Sequence, residues 1–270
     1  MKTLSMKNFV NRGRFGNQLF QYSFLKIASW EKGYSLEIPE WAGKKIFESI
    51  NDPLPKNDFP SYVEKDNFFF ENSSIIPRLN ENFSMDVDGH FLFHTSFFAK
   101  HKEKLLETYK VKEEYEREYS KILERFKKST NKKNLVGIHY RLTDYRGGAR
   151  LIAPKNWYQS VLEKIEDYVL FTSSDEPDVA KQIFGGYSSK EIGLPSNTPF
   201  ADFFQDFWLL SHCDYVLCSD STFSFFATML NKNIIKVYKP LLYRSCLVEF
   251  DPWNSHVSDL RTRDRINKIK

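Results

Sequence analysis

Long apolar runs are missing from this 270-residue sequence. No stretch approaches the ~20 consecutive apolar residues that a bilayer span requires, and residues 1–10 carry no apolar run of the kind a secretory leader uses. Cysteine is scarce: Cys213, Cys218 and Cys246 are the only three, and no C-x-x-C pairs them. An odd, unpaired set argues against a disulfide scaffold or a zinc knuckle and points to a reducing compartment. A cytoplasmic location is therefore expected. Asn72-Ser73-Ser74 and Asn82-Phe83-Ser84 match glycosylation sequons, which count only in a secretory pathway. A strong charge of one sign is missing too. The net charge is +4 and the basic residues are scattered, so no concentrated face for duplex nucleic acid is expected, whereas an anionic small ligand such as a nucleotide suits the balance.

What is present predicts a packed core. Hydrophobic residues reach 41% against 27% charged, and aromatics 16%, Phe above all. The aromatics fit either a filled core or surfaces that stack on sugar rings, and the core reading is favoured.

The pattern along the chain divides near residue 132. Before it, residues 17–31 read as a helix with a broad apolar side, stopped by Gly33. Pro39, Pro53, Pro55 and Pro60 mark loop-rich territory. Residues 87–98 read as strand-like and pass into a helix through Leu106, and residues 112–128 as a charged amphipathic helix. After residue 132, buried-strand signals at 135–138, 168–172, 215–218 and 234–238 alternate with helical stretches at 156–166, from Pro177, at 201–212 and at 223–230. Alternating strand and helix predicts α/β architecture with a parallel sheet covered on both faces. The expected domains are 1–132 and 133–270. In such sheets ligands bind beyond the carboxyl ends of the strands, which singles out loops 139–148, 172–177 and 218–224.

Those loops carry the chemistry. The first contains His139, Arg141 and Asp144. An arginine fork suits a diphosphate, because it donates two parallel hydrogen bonds and offsets charge that develops on a leaving group; a plain Arg141–Asp144 salt bridge is the alternative. The second holds Asp175, suited to a ribose diol or a base N–H, or to capping the next helix. The third, Ser219 to Ser224, places small hydroxyls where a helix N-terminus offers free N–H groups to phosphate, or simply caps it. Near the N-terminus, Arg12-Gly13-Arg14-Phe15-Gly16-Asn17-Gln18 sets two glycines before a helix, allowing close backbone approach to a ligand. It is not a P-loop, since the Gly-Lys-Ser/Thr ending is missing. Asp86-Val87-Asp88 has the form of a divalent-cation site, but three-residue matches are common by chance and no metal role is expected. His90 and His94 lack the Glu at 91 that the zinc-protease pattern requires.

Together these segments resemble glycosyltransferase family 11, the α-1,2-fucosyltransferases, within the wider group of α-1,6- and protein O-fucosyltransferases. The segment Gly13 to Tyr22 is similar to that family's opening signature, Gly89 to Phe98 more loosely to its Gly-Tyr-Phe-Gln-Ser segment, and His139 to Tyr145 to its His-x-Arg-x-x-Asp motif. Pro154 to Tyr158, Phe171 to Asp175, and Ser221 to Phe226 follow in family order, with Phe225 and Phe226 in place of a tryptophan pair. The resemblance implies a GT-B-type fold of two Rossmann-like domains facing a cleft. It implies metal-independent, inverting transfer of L-fucose from GDP-β-L-fucose to a glycan hydroxyl, α-1,2 to galactose by precedent, with no cofactor beyond the donor. It places Arg141 on the donor phosphate, Gly16 and Asn17 near the donor, Ser221, Thr222 and Ser224 on the phosphate loop, and Asp175 on the nucleoside side. Arg141 would stabilise departing GDP, with Asp144 or His139 as proton acceptor. Leu142 stands where the family often has a second arginine, which removes one charge. A transferase of another nucleotide sugar, or a non-catalytic sugar- or nucleotide-binding module, would share much of this pattern.

Overall fold

The computed structural model describes residues 2–64, 83–147, 150–199 and 201–257. The sequon residues Asn72 and Asn82 lie outside them. The chain forms two compact units: one runs to Lys112 and takes in Trp253–Val257, the other begins at Glu113 and runs to Pro252.

The first unit carries a four-stranded, all-parallel sheet in the order β2-β1-β4-β3, built from β1 (Thr3–Ser5), β2 (Ser35–Glu37), β3 (Ser61–Val63) and β4 (Met85–Asp88). Three of these strands are three residues long and carry no continuous apolar run, so the pattern along the chain does not announce them. The helix Phe15–Lys32 does announce itself. It buries Leu19, Phe20, Phe24 and Leu25, and ends at Gly33 in the left-handed conformation (φ 69°), whose N–H donates to the Ser29 carbonyl at 2.9 Å. The aromatics are core: Phe24 stacks on Phe91 at 4.1 Å between centroids, and Phe20 meets Phe98 edge-on at 5.5 Å.

The second unit holds β5 (Asn134–Tyr140), β6 (Tyr168–Ser174), β7 (Tyr215–Leu217), β8 (Lys236–Leu241) and β9 (Cys246–Glu249), in the order β6-β5-β7-β8-β9. The first four are the parallel strands expected from the apolar runs, and β9 adds an antiparallel edge that no periodicity marked. The helices Lys155–Leu162, Pro177–Phe184, Phe204–Leu210 and Thr222–Leu230 fall between the strands as the alternation predicts. The helix Glu113–Thr130, which a boundary near 132 assigns to the first domain, clusters with the second unit instead. Its Tyr119 is buried edge-on against Trp208 at 5.4 Å, and its Glu116 accepts from Trp208 Nε1 at 2.8 Å. Among the described residues, no helix is long and apolar enough to cross a membrane.

Candidate functional site

In the second sheet the connections leave β5 on opposite sides: β6 lies to one side and β7 to the other. That reversal opens a crevice beyond the carboxyl ends of β5 and β7, the place where open α/β sheets take their ligands. His139 is the penultimate residue of β5, Arg141 and Asp144 follow the strand, and Ser219 to Ser224 follow β7.

The loop after β5 is built around one guanidinium. Arg141 Nε donates to Asp144 Oδ1 at 2.8 Å and lies 3.0 Å from Asp175 Oδ2. Burial works against its charge, but the hydrogen bond to Asp144 and the field of Asp175 outweigh it and push its pKa up. Arg141 therefore stays cationic at any working pH. The same pairing holds the Asp144 carboxyl below the usual carboxylate range. Asp144 is half-exposed, whereas the Arg141 and Asp175 side chains are each only 15% exposed.

Asp175, reaching across from the end of β6, does more than meet Arg141. It accepts the backbone N–H groups of Leu142 (2.9 Å) and Thr143 (3.2 Å) and the Thr143 hydroxyl. Burial alone would raise its pKa, but these donors and Arg141 lower it. Of the two roles open to Asp175 in the sequence, ligand contact or helix cap, the structure displays a third: it templates the tight turn Thr143–Tyr145 that follows Arg141. Capping beside it falls to Ser174, whose hydroxyl accepts from Glu176 N at 3.0 Å and donates to the Tyr140 carbonyl at 2.6 Å.

His139 lies beneath this loop, 3% exposed, with Nδ1 2.8 Å from Ser219 Oγ and its ring 5.2 Å from that of Phe223. Burial lowers its pKa to about 4, so the imidazole is neutral near pH 7. The Ser219 contact ties the end of β5 to the loop after β7. A second tie is Tyr145, whose buried hydroxyl donates to the Asp220 carbonyl at 2.6 Å. Sequence reasoning missed both Tyr145 and Ser219 as ties, although both stand inside the motifs.

Ser221 caps the nine-residue helix Thr222–Leu230, accepting from Phe223 N–H at 3.3 Å, and Thr222 opens its first turn. Ser224, expected on the phosphate loop, has a fully buried side chain whose hydroxyl turns back to the Ser221 carbonyl at 3.4 Å. Ser224 thus turns its hydroxyl inward and offers none to a ligand. Leu142 is buried in an apolar cluster with Tyr140, Trp157 and Val161.

Gly16 and Asn17 belong to the first unit, in the opening turn of the helix Phe15–Lys32. Gly13, at φ 110°, lies directly under Asn17: a Cβ there would come within 2.1 Å of Asn17 Nδ2. The glycine therefore lets the Asn17 side chain lie against the backbone. In the same unit Asp86 accepts from the Ser5 hydroxyl (2.6 Å) and Lys7 N–H (3.0 Å). Asp88 takes Arg12 bidentately (2.5 and 2.7 Å) and Asn8 Nδ2 at 3.1 Å. Both carboxylates brace the turn that precedes the helix.

No protein-family model matches the chain. No curated protein matches it either. Solved structures do match. The α-1,6-fucosyltransferase NodZ soaked with GDP-fucose is similar at a TM-score of 0.57 and 15% identity, covering 93% of this chain and 99% of that one. The fucosyltransferase NodZ from Bradyrhizobium gives 0.54 at 13%, over the same shares. A point mutant of Arabidopsis thaliana FUT1 in complex with GDP gives 0.57 at 10%, covering 98% of this chain and 77% of that one. Near-complete coverage at such low identity is a likeness of fold, and the chain has that fold: two Rossmann-like α/β units of the GT-B type.

Proposed function

We propose that this protein is an inverting, metal-independent glycosyltransferase that moves L-fucose from GDP-β-L-fucose to a glycan hydroxyl. The observation that carries this reading is Arg141: a permanently charged guanidinium, held by two carboxylates at the β5–β7 crevice beside the first turn of the helix Thr222–Leu230. The fold it stands in is shared with proteins crystallised with GDP or GDP-fucose.

In this reaction the acceptor oxygen attacks C1 of fucose on the face opposite the diphosphate. The C1–O bond breaks with its electron pair leaving on GDP, and Arg141 with the helix N-terminus neutralises that charge in an oxocarbenium-like transition state. Of the two expected proton acceptors, Asp144 fits better: it is half-exposed, whereas His139 is buried with a pKa of about 4. His139 then serves as a positioning residue through Ser219. Thr222 presents a first-turn N–H to phosphate, while Ser221 caps the helix and its own N–H is donated to the Ser219 carbonyl at 2.8 Å; Asp175 acts by holding Arg141, and Gly16 and Asn17 are donor residues on the motif resemblance alone. The motifs favour α-1,2 transfer to galactose, while the neighbour NodZ is described as an α-1,6 enzyme.

The test is GDP release from GDP-fucose with EDTA present, against a panel of sugar acceptors that includes terminal galactose. Acceptor-stimulated release is expected, and Arg141→Ala is expected to lower it by about 10²–10³-fold with the fold retained. Near-normal transfer by that variant would sink the proposal. Release only with another nucleotide sugar would leave the fold and overturn the donor.

A further inference from the structure

We infer that Gln21 is a positioning residue for the donor: acting through the backbone of Arg12 and Gly13, it fixes the seat on which the Asn17 side chain lies. This rests on the nucleotide-sugar reading above and on the motif resemblance that puts Asn17 near the donor. Gln21 is fully buried in the helix Phe15–Lys32, whose other buried side chains are mostly apolar. Its Oε1 is buried too and accepts from no group among the described residues. A half-satisfied amide costs stability at a place where methionine or leucine would add to it. What Gln21 contributes therefore lies at its nitrogen.

That nitrogen is directed. Nε2 donates at 3.0 Å to the Arg12 carbonyl and at 3.0 Å to the Gly89 carbonyl. Both partners can only accept, so the amide has one orientation: the nitrogen faces the two carbonyls and the oxygen is left over. Arg12 precedes the helix and Gly89 directly follows β4, so one side chain joins the opening turn to the end of that strand. The Arg12 guanidinium makes a second connection to the same place, bidentate on Asp88. Side chain and carbonyl of a single residue are thus both tied to the end of β4.

The effect falls on Gly13. A peptide unit is planar, so holding the Arg12 carbonyl sets the plane that enters Gly13. The plane that leaves it is held by Gln18, whose Nε2 donates to the Gly13 carbonyl at 3.3 Å. Between two held planes the glycine stands at φ 110°, a conformation that side chains with a Cβ rarely adopt. In that conformation it has Asn17 directly against it, with no room for a Cβ. Asn17 and Gln21 are four residues apart, on one face of the helix. The helix therefore shapes the turn with Gln21 and lays the donor residue Asn17 on it.

The experiment is a double-mutant cycle on the full-length chain, read as kcat and KM for transfer from GDP-fucose, with a urea midpoint for every variant. Gln21→Met keeps the length and the apolar body and removes both N–H donors. It is expected to lower kcat/KM about tenfold, through KM for GDP-fucose more than through kcat. With Asn17→Ala already present, the same change is expected to cost no more than about twofold, because the contact it positions is gone. An equal loss with and without Asn17 would make Gln21 a brace for the fold and overturn the inference. Wild-type kinetics in Gln21→Met, or in Asn17→Ala, would overturn it as well. If Gln21→Met does not fold, Gln21→Glu, of nearly the same shape, enters the cycle with the same outcomes. Failure of the underlying reading looks different: the wild-type chain would transfer no fucose and Gln21→Met would differ from it in urea midpoint alone, which removes the donor contact and the inference with it.

Discussion

His139 shows how one side chain links the donor crevice to the pH dependence of folding. Its folded pKa of about 4 lies below the ordinary value of 6.5 because burial penalises the charged ring. The unfolded chain therefore binds the proton more readily than the native one. Above about pH 6.5 both states are neutral here and the full stability is present; as pH falls from there towards 4, stability is lost, by up to about 3 kcal/mol for this one group. Urea midpoints measured from pH 7.5 to 4.5 are expected to fall across that window in the wild type, and to fall distinctly less in His139→Gln. Equal slopes would mean that the imidazole is not buried as described. The chemistry-bearing residues were readable along the chain because Arg, His and Asp stand directly after apolar strand runs. Their partners were not. A carboxylate in a sequence does not say what it accepts from, so Asp175 read as a ligand or cap residue, and the cluster that buries Leu142 has no signal in the motif.

Among elements, the loop after β5 depends on a residue thirty-three positions away, since Leu142 N–H and Thr143 N–H both donate to Asp175. Removing that carboxylate leaves two N–H groups and the Arg141 guanidinium short of an acceptor. Asp175→Ala is expected to cost about 2–4 kcal/mol in urea unfolding, and to weaken GDP binding through Arg141. A variant of unchanged stability that had lost guanosine binding would instead show Asp175 on the nucleoside. Strands β5 to β7 were legible because a buried parallel strand is written as an apolar run, whereas β8 is interrupted by lysines and starts after the Ile234-Ile235 pair that signalled it. Strands β1, β2 and β3 were not, because three residues are too few to establish a period, and they are defined by pairing with segments far along the chain, such as Leu4 opposite Met85.

For the whole molecule, the strand–helix alternation after residue 132 marked the second unit's sheet, the pattern before it did not mark the first unit's, and the units divide at Glu113. Helix Glu113–Thr130 is amphipathic, and amphipathicity says that a face is buried without saying against what. The return of Trp253–Val257 to the first unit has no signal in local sequence at all. It is secured at Thr95, a fully buried residue whose N–H and hydroxyl both donate to the Ser255 carbonyl, at 2.9 and 3.0 Å, and whose hydroxyl accepts from Ser255 N–H at 2.9 Å. His256 packs edge-on to His94 at 4.6 Å beside it. Thr95→Val keeps the shape and removes the hydroxyl, and is expected to destabilise the chain by about 1–3 kcal/mol. Hydrogen exchange at the Ser255 amide is expected to speed up selectively; unchanged exchange would refute the clasp.

That clasp also orders events in time. The segment that closes the first unit is translated only after Glu113–Pro252 of the second, so on the ribosome the earlier unit waits, incomplete, on the order of ten seconds or more at ordinary elongation rates.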